Sequence, residues 1–266
     1  MIQLKRRAEL EVMAEAARVN REAMDAVAAA VAPGVTTAEL NALAEDAIVS
    51  RGGRPAFKGY RGASATPFPG TLCTSINEVV VHGIPDDRAL VEGDIVSVDI
   101  GTFYRGFAAD LARTFAVGRV SEEARRLIAV TEASLAAGIA AAQAGNRVGD
   151  VSAAIQDVVE SEGFWIVREF VGHGIGRAFH EDPEVPNVGR AGTGPVLRPG
   201  LVLAIEPMVT TRSTRVIVLD DGWTAPTADG SLAAHVEHTV AVTEDGPWVL
   251  TAAPDRVPAP AAAPRR

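Results

Sequence analysis

The chain has 266 residues, 47% of them hydrophobic and 22% charged, which excludes a disordered or fibrous protein and leaves length for a core without disulfides. Lys plus Arg number 25 against 34 Asp plus Glu, a net charge of −9 that argues against nucleic-acid binding over the bulk surface. The single cysteine, Cys73, excludes an intramolecular disulfide; with no secretory signal and no run near the ~18 apolar residues of a membrane span, a cytoplasmic protein without membrane partners is expected.

From about Glu9 to Val31 the chain is Ala-rich, with Leu10, Met13, Ala17, Met24, Val27 and Val31 near helical spacing, and Pro33-Gly34 ends the run. Thr36-x-x-Glu39 reads as a capping box that opens a second helix, which runs to about Arg51 and stops at Gly52-Gly53. From about Tyr60 to Asp110 short apolar runs punctuated by Gly and Pro read as strands, namely Glu78–Val81, Ile95–Ile100 and Phe107–Phe115. Helices return from Ser121 to about Ala144 and from about Asp150 to Glu162, and strands resume at Phe164. Residues 253–266 are Pro/Ala-rich and aperiodic and read as a disordered tail, which leaves a single domain over 1–252.

The order helix, helix, strands occurs twice, which suggests an internal duplication with halves of about 1–118 and 119–252. A shift of 145 − 34 = 111 residues sets Gly34 on Gly145, Ala42 on Ala153, Asp46 on Asp157, Ser50 on Ser161 and Gly52 on Gly163. Two helices of similar pattern can share that many identities by composition alone. A true duplication implies an α/β unit of two similar halves, with a natural site where they meet.

A histidine on an apolar stretch is more often structural than functional, and each of His82, His173, His180, His235 and His238 starts from that reading. The carboxylates shift it. Asp99 closes the apolar run Ile95–Val98 and Glu206 closes Leu201–Ile205, where an ionised side chain is costly to bury unless paired or metal-bound. A strand end reaching solvent explains either one alone. Asp99 and Asp110 carry more weight together, because their midpoint falls between Tyr104 and Arg105. A hairpin centred there sets the two directly opposite, with Cβ atoms ~5 Å apart, a destabilising arrangement unless a cation lies between them. Alternation through Ala234–Val240 puts Glu237 on the face opposite Val236, His238 and Val240. Four strand carboxylates, with His173 between glycines, form an oxygen-rich ligand set. It suits a two-metal hydrolytic centre better than a structural zinc site, which favours Cys.

The segments Ser75–Pro85 (SINEVVVHGIP), Gly93–Asp99 (GDIVSVD), Gly172–His180 (GHGIGRAFH), Ile205–Met208 (IEPM) and Glu237–Thr239 (EHT) resemble, in order and over nearly the whole chain, the motif series of the methionine aminopeptidases. The 25 residues between His180 and Glu206 leave no room for the helical insertion of the type II enzymes, so the likeness is to a short type I form without an N-terminal extension. The resemblance implies the α/β (α+β) pita-bread fold: two pseudo-symmetric halves with antiparallel sheet and outer helices around a dinuclear metal site. It implies Asp99, Asp110, His173, Glu206 and Glu237 as metal ligands, and His82, His180 and Glu206 as catalytic groups. His82 and His180 would contact the substrate amide. It places Tyr60, Phe68, Cys73, Phe179, Met208 and Trp223 around a methionine pocket, each also readable as ordinary core. His235 and His238 receive no role and are read as structural.

The implied activity is hydrolytic removal of the initiator methionine from nascent polypeptide N-termini, with the ribosome as a place to meet them and no nucleic-acid partner. A hydroxide activated by two divalent ions would be the nucleophile; availability decides among cobalt, manganese, iron and zinc. A monomer is expected. Three departures stand out: about five extra residues around Gly62–Pro67, Gly101 where bacterial members often carry Thr, and a 101–115 segment partly like that of the Xaa-Pro peptidases. An Xaa-Pro aminopeptidase or dipeptidase is therefore the near rival. A pita-bread binding protein without catalysis is the distant one, and it would have no need to keep five ligands.

Overall fold

The computed structural model describes residues 1–253 apart from Ala63; the remainder of the expected tail, from Pro254 on, lies outside the described residues. Helices α1 (Arg7–Ala30), α2 (Thr37–Ser50), α3 (Glu122–Ala141) and α4 (Val148–Ser161) form within a few residues of the predicted bounds. The Thr36 hydroxyl accepts from the Glu39 amide at 3.1 Å, and the Glu39 carboxylate accepts from the Thr36 amide at 2.8 Å, which satisfies donors that the first turn of α2 would leave bare. The 111-residue shift carries this device to α4, where the Asp150 carboxylate accepts from the Arg147 amide at 2.7 Å. Gly34 and Gly145 have φ of 93° and 92°, and Gly52 and Gly163 have 76° and 79°. The second helix of each half is thus entered and left through the same left-handed backbone, which glycine adopts without steric cost.

The strands that position the site are β1 (Leu72–Ile76), β2 (Ile95–Tyr104), β3 (Phe107–Ala116), β4 (Gly172–Gly174), β5 (Glu181–Val185), β6 (Val202–Ile205) and β7 (Glu237–Thr243). Among the described residues they belong to one nine-stranded sheet in the order Arg54–Pro55, β2, β3, β7, β6, β4, β5, with β1 also on β2 and Gly246–Val249 also on β7. Every pair in it is antiparallel. The two halves meet at β3 and β7, where the Thr239 hydroxyl accepts from the Asp110 amide at 2.9 Å and donates to the Asp110 carbonyl at 2.8 Å.

Side-chain alternation divides the sheet into two faces. On one, Val96, Val98, Ile100 and Leu111 pack with Val27, Leu40, Ala44 and Ile48 of the first helix pair. Leu203, Ile205 and Val240 pack with Leu135, Val151 and Ile155 of the second pair. Asp99, Asp110, Glu237 and His173 fall on the other face by the same alternation. The helices lie outside, the carboxylates inside, and a pseudo-symmetric pita-bread fold results. Among the described residues no helix is long and apolar enough to cross a membrane.

The aspartate hairpin is centred one residue later than the midpoint of Asp99 and Asp110 predicts. Its turn is Arg105-Gly106, with φ of 48° and 82°, and its register pairs Asp99 with Ala112 and Gly101 with Asp110. Two consecutive positive φ values make the tight connection that matches strand twist. The two aspartates are therefore diagonal neighbours on one face, not directly opposed.

Candidate metal centre

Five side chains from neighbouring strands converge on one end of a cavity of about 370 Å³. The register explains how. Asp99 on β2 and Glu237 on β7 flank Ala112 of β3 from either side, and Asp110 lies two residues along β3 on the same face. His173 on β4 pairs with Ala204 of β6, and Glu206 follows that strand by one residue. One ligand atom each from Asp110, His173 and Glu237 lies within 4.8 Å of the others. His173 Nε2 is 4.0 Å from Asp110 Oδ2 and 3.7 Å from Glu206 Oε1.

These residues fit a divalent cation on their own chemistry. Asp110, Glu237 and His173 are buried, and among the described residues Asp99 Oδ1 and Glu237 Oε1 have no hydrogen-bond partner. Buried acceptors left bare are costly unless something positive meets them. His173 Nδ1 faces the Gly174 carbonyl at 2.8 Å; a carbonyl only accepts, so Nδ1 carries the proton and Nε2 offers its lone pair to the cluster. Burial holds His173 neutral down to about pH 3. Burial, reinforced by the neighbouring carboxylates, pushes the Asp110, Glu206 and Glu237 carboxyls well above their usual range, and burial brings Asp99 to about 7.

His82 stands at φ 59°, a conformation that a side-chain-bearing residue adopts at a cost. The next residue explains it. A Cβ on Gly83 would lie 2.2 Å from the Thr74 carbonyl oxygen, and the Gly83 carbonyl accepts from the Thr74 amide at 2.8 Å. The backbone is clamped to β1 and His82 is turned into the cavity, edge-on to Phe170 at 5.2 Å between centroids. His180 Nδ1 meets the Tyr60 hydroxyl at 2.8 Å, and its ring lies 4.2 Å from that of His173. Burial and the nearby His180 lower His82 to about 4, and burial also lowers His180. Both rings are neutral near pH 7 and can donate or accept.

Tyr60, Phe68, Cys73, Phe179 and Trp223 all line the cavity, where Phe68 and Trp223 meet edge to face at 5.3 Å. Burial, with the Asp99, Asp110 and Glu237 charges, pushes the Cys73 thiol up and suppresses its thiolate. Met208 does not join them. It is fully buried among Val80, Val81, Val167, Ala225 and Ala233, where Met208–Thr210 pairs with Ala233–His235 in a separate small sheet. Phe57 and Phe170 line the cavity instead, and the motif reading missed both. Nothing in the local pattern of either residue marks it. His238 bonds the Thr251 hydroxyl through Nδ1 at 2.8 Å, which fits a structural role. His235, read as structural, is seated against the centre: its buried Nε2, without a hydrogen-bond partner among the described residues, is 3.6 Å from Glu206 Oε2.

The model of metallopeptidase family M24 matches residues 11–244. Methionine aminopeptidase of Clostridium perfringens is 52% identical over 94% of this chain and 99% of its own length. The crystal structure of methionine aminopeptidase from Thermotoga maritima superposes with a TM-score of 0.92 at 45% identity, over 95% of this chain and all of that one. A prolidase from Pyrococcus furiosus shares the fold, with a TM-score of 0.73 at 22% identity over 94% of this chain and 65% of that one.

Proposed function

Since the chain belongs to metallopeptidase family M24, and within it to the methionine aminopeptidases, we propose that it hydrolyses the first peptide bond of polypeptides that begin with methionine, nascent chains foremost. The observation that carries this reading is the convergence of Asp99, Asp110, His173, Glu206 and Glu237 at one end of an apolar cavity walled by Phe68, Phe179 and Trp223. We assign those five to two divalent cations. Once bound, such cations supply Lewis acidity that lowers the pKa of a water toward neutrality.

The chain's own groups do the rest. Aromatic walls suit the unbranched, polarisable side chain of methionine. Glu206, its carboxyl raised by burial and by Asp110 and Asp99, is assigned to take the proton of the attacking water and pass it to the leaving amine. His180, tied to Tyr60 through Nδ1, is assigned to stabilise the developing oxyanion through Nε2, and neutral His82 is assigned to orient the scissile amide.

The test is hydrolysis by protein reconstituted with divalent metal, comparing Met-Ala-Ser with a Gly-Pro peptide. Release of methionine from the first, with little cleavage of the second and none after chelation, is expected. Preference for the Gly-Pro peptide would overturn the assignment in favour of an Xaa-Pro peptidase.

A further inference from the structure

The turn from Gly176 to His180 presents Phe179 and His180 to the cavity, and a charged pair with no part in the chemistry above anchors it. Glu181 Oε1 accepts from the backbone amides of Arg177 at 2.8 Å and Ala178 at 3.2 Å, while Oε2 accepts from Lys5 Nζ at 2.5 Å. The two side chains are 4% and 3% exposed. Every other Lys or Arg pair with a carboxylate side chain, among the described residues, has a partner more than a third exposed. Lys5 is itself held, its amide donating to the Gly200 carbonyl at 2.7 Å and its Nζ to the Gln3 carbonyl at 3.2 Å. A Cβ on Gly176 would lie 2.3 Å from Lys5 Cε, and one on Gly200 would lie 2.5 Å from the Lys5 carbonyl oxygen. The lysine therefore sits in a slot with no slack on either side.

A buried ion pair is a poor source of net stability, because desolvation offsets most of the attraction. Its geometric effect is large, since it ties residue 5 to the residue after His180. We propose that Glu181 is a positioning residue for the hydrolysis and that Lys5 is its anchor. Together they fix the 176–180 turn so that His180 keeps Nδ1 on the Tyr60 hydroxyl and Nε2 free for substrate. The inference rests on the reading of His180 as a group that contacts the substrate.

Two double variants separate positioning from mere packing: Lys5→Met with Glu181→Gln, the amide variant, and Lys5→Met with Glu181→Met, the thioether variant. Both remove both charges, so neither strands a buried ion. They differ in whether side chain 181 can still accept from the Arg177 and Ala178 amides. In metal-loaded protein the thioether variant is expected to lose about tenfold or more in kcat with KM within about twofold, and the amide variant to regain kcat to within about threefold of wild type. The His180 imidazole resonances should shift or broaden in the thioether variant and return in the amide variant, with metal content equal in both. Equal kcat in the two variants, with His180 resonances as in wild type, overturns the proposal.

Amide hydrogen exchange in the wild type reads the anchor without any variant. Arg177 and Ala178 should be protected as strongly as the amides of β6, and rapid exchange at both overturns the anchor. If the wild type cleaves no methionyl peptide, the functional reading fails, while the resonances and the exchange rates still decide whether Glu181 holds the turn.

Discussion

His173 and His82 look alike in sequence, each in an apolar stretch beside glycine, and their surroundings separate them. His173 donates Nδ1–H to the Gly174 carbonyl and aims a bare Nε2 at Asp110 and Glu206. His82, set on a left-handed backbone, packs edge-on against Phe170 and Trp223 in the cavity wall and shares no hydrogen bond or ion pair with the carboxylates among the described residues. Replacing His173 with Ala is therefore expected to lower bound metal and activity together. Replacing His82 with Ala should leave metal content intact and slow turnover by about 10²-fold or more. Metal analysis beside steady-state kinetics checks both; metal loss from His82→Ala comparable to that from His173→Ala would show that the division is wrong.

Within the hairpin of β2 and β3, Gly101 was the residue that departed from the bacterial pattern. The structure supplies a reason for glycine there. A Cβ at 101 would lie 2.7 Å from Phe179 Cε2 and 2.8 Å from Phe57 Cε1, inside an edge-to-face pair whose centroids are 5.3 Å apart. Phe179 in turn packs on His173 at 5.8 Å. Gly101→Ala should thus overpack the cavity wall, lowering stability by about 1–3 kcal/mol and displacing Phe179 so that KM for methionyl peptides rises. Denaturant unfolding and KM measured on the same preparation test this, and a variant as stable as wild type with unchanged KM would refute it. The hairpin also shows what the sequence made legible at this scale. Its two strands, its turn region and the shared face of the aspartates were all readable from alternation. The one-residue shift was not, because it depends on which two residues take positive φ.

Across the whole molecule, the centre joins the two halves and gathers negative charge at the seam. Burial holds a proton on Asp99 up to about pH 7 in the folded chain, against a usual value of 3.8. Between those values the folded state binds more protons than the unfolded state, so the stability of metal-free protein should fall as pH rises through that window. A divalent cation reverses the penalty, since ionised carboxylates that repel one another then bind it. Added Mn²⁺ should therefore raise the melting temperature, and raise it more at about pH 8 than at about pH 5. Thermal melts with and without chelator at both pH values measure the difference. An equal increment at both, or none, would count against a preformed carboxylate cluster.

The sequence by itself determined the helix–helix–strand order of each half, the capping box at Thr36 and the strand alternation, because these follow from local propensity and period. It also carried the five candidate ligands: Asp99, His173, Glu206 and Glu237 sit in motifs short enough to read in one dimension, and Asp110 follows from the hairpin that sets it near Asp99. Only the tertiary structure decided which residues surround them. Met208 lies three residues beyond the end of β6, which feeds the cavity, yet its pairing with a different sheet removes it to the core. Phe57, Phe170 and His235 reach the site from segments whose local pattern is silent about their neighbours. Lys5 and Glu181, separated by most of the chain, form a buried pair only because β4, β5 and the start of β6 converge there. Periodicity says which face a side chain takes. What lies opposite that face depends on how the strands are ordered in the sheet, and long-range packing decides that.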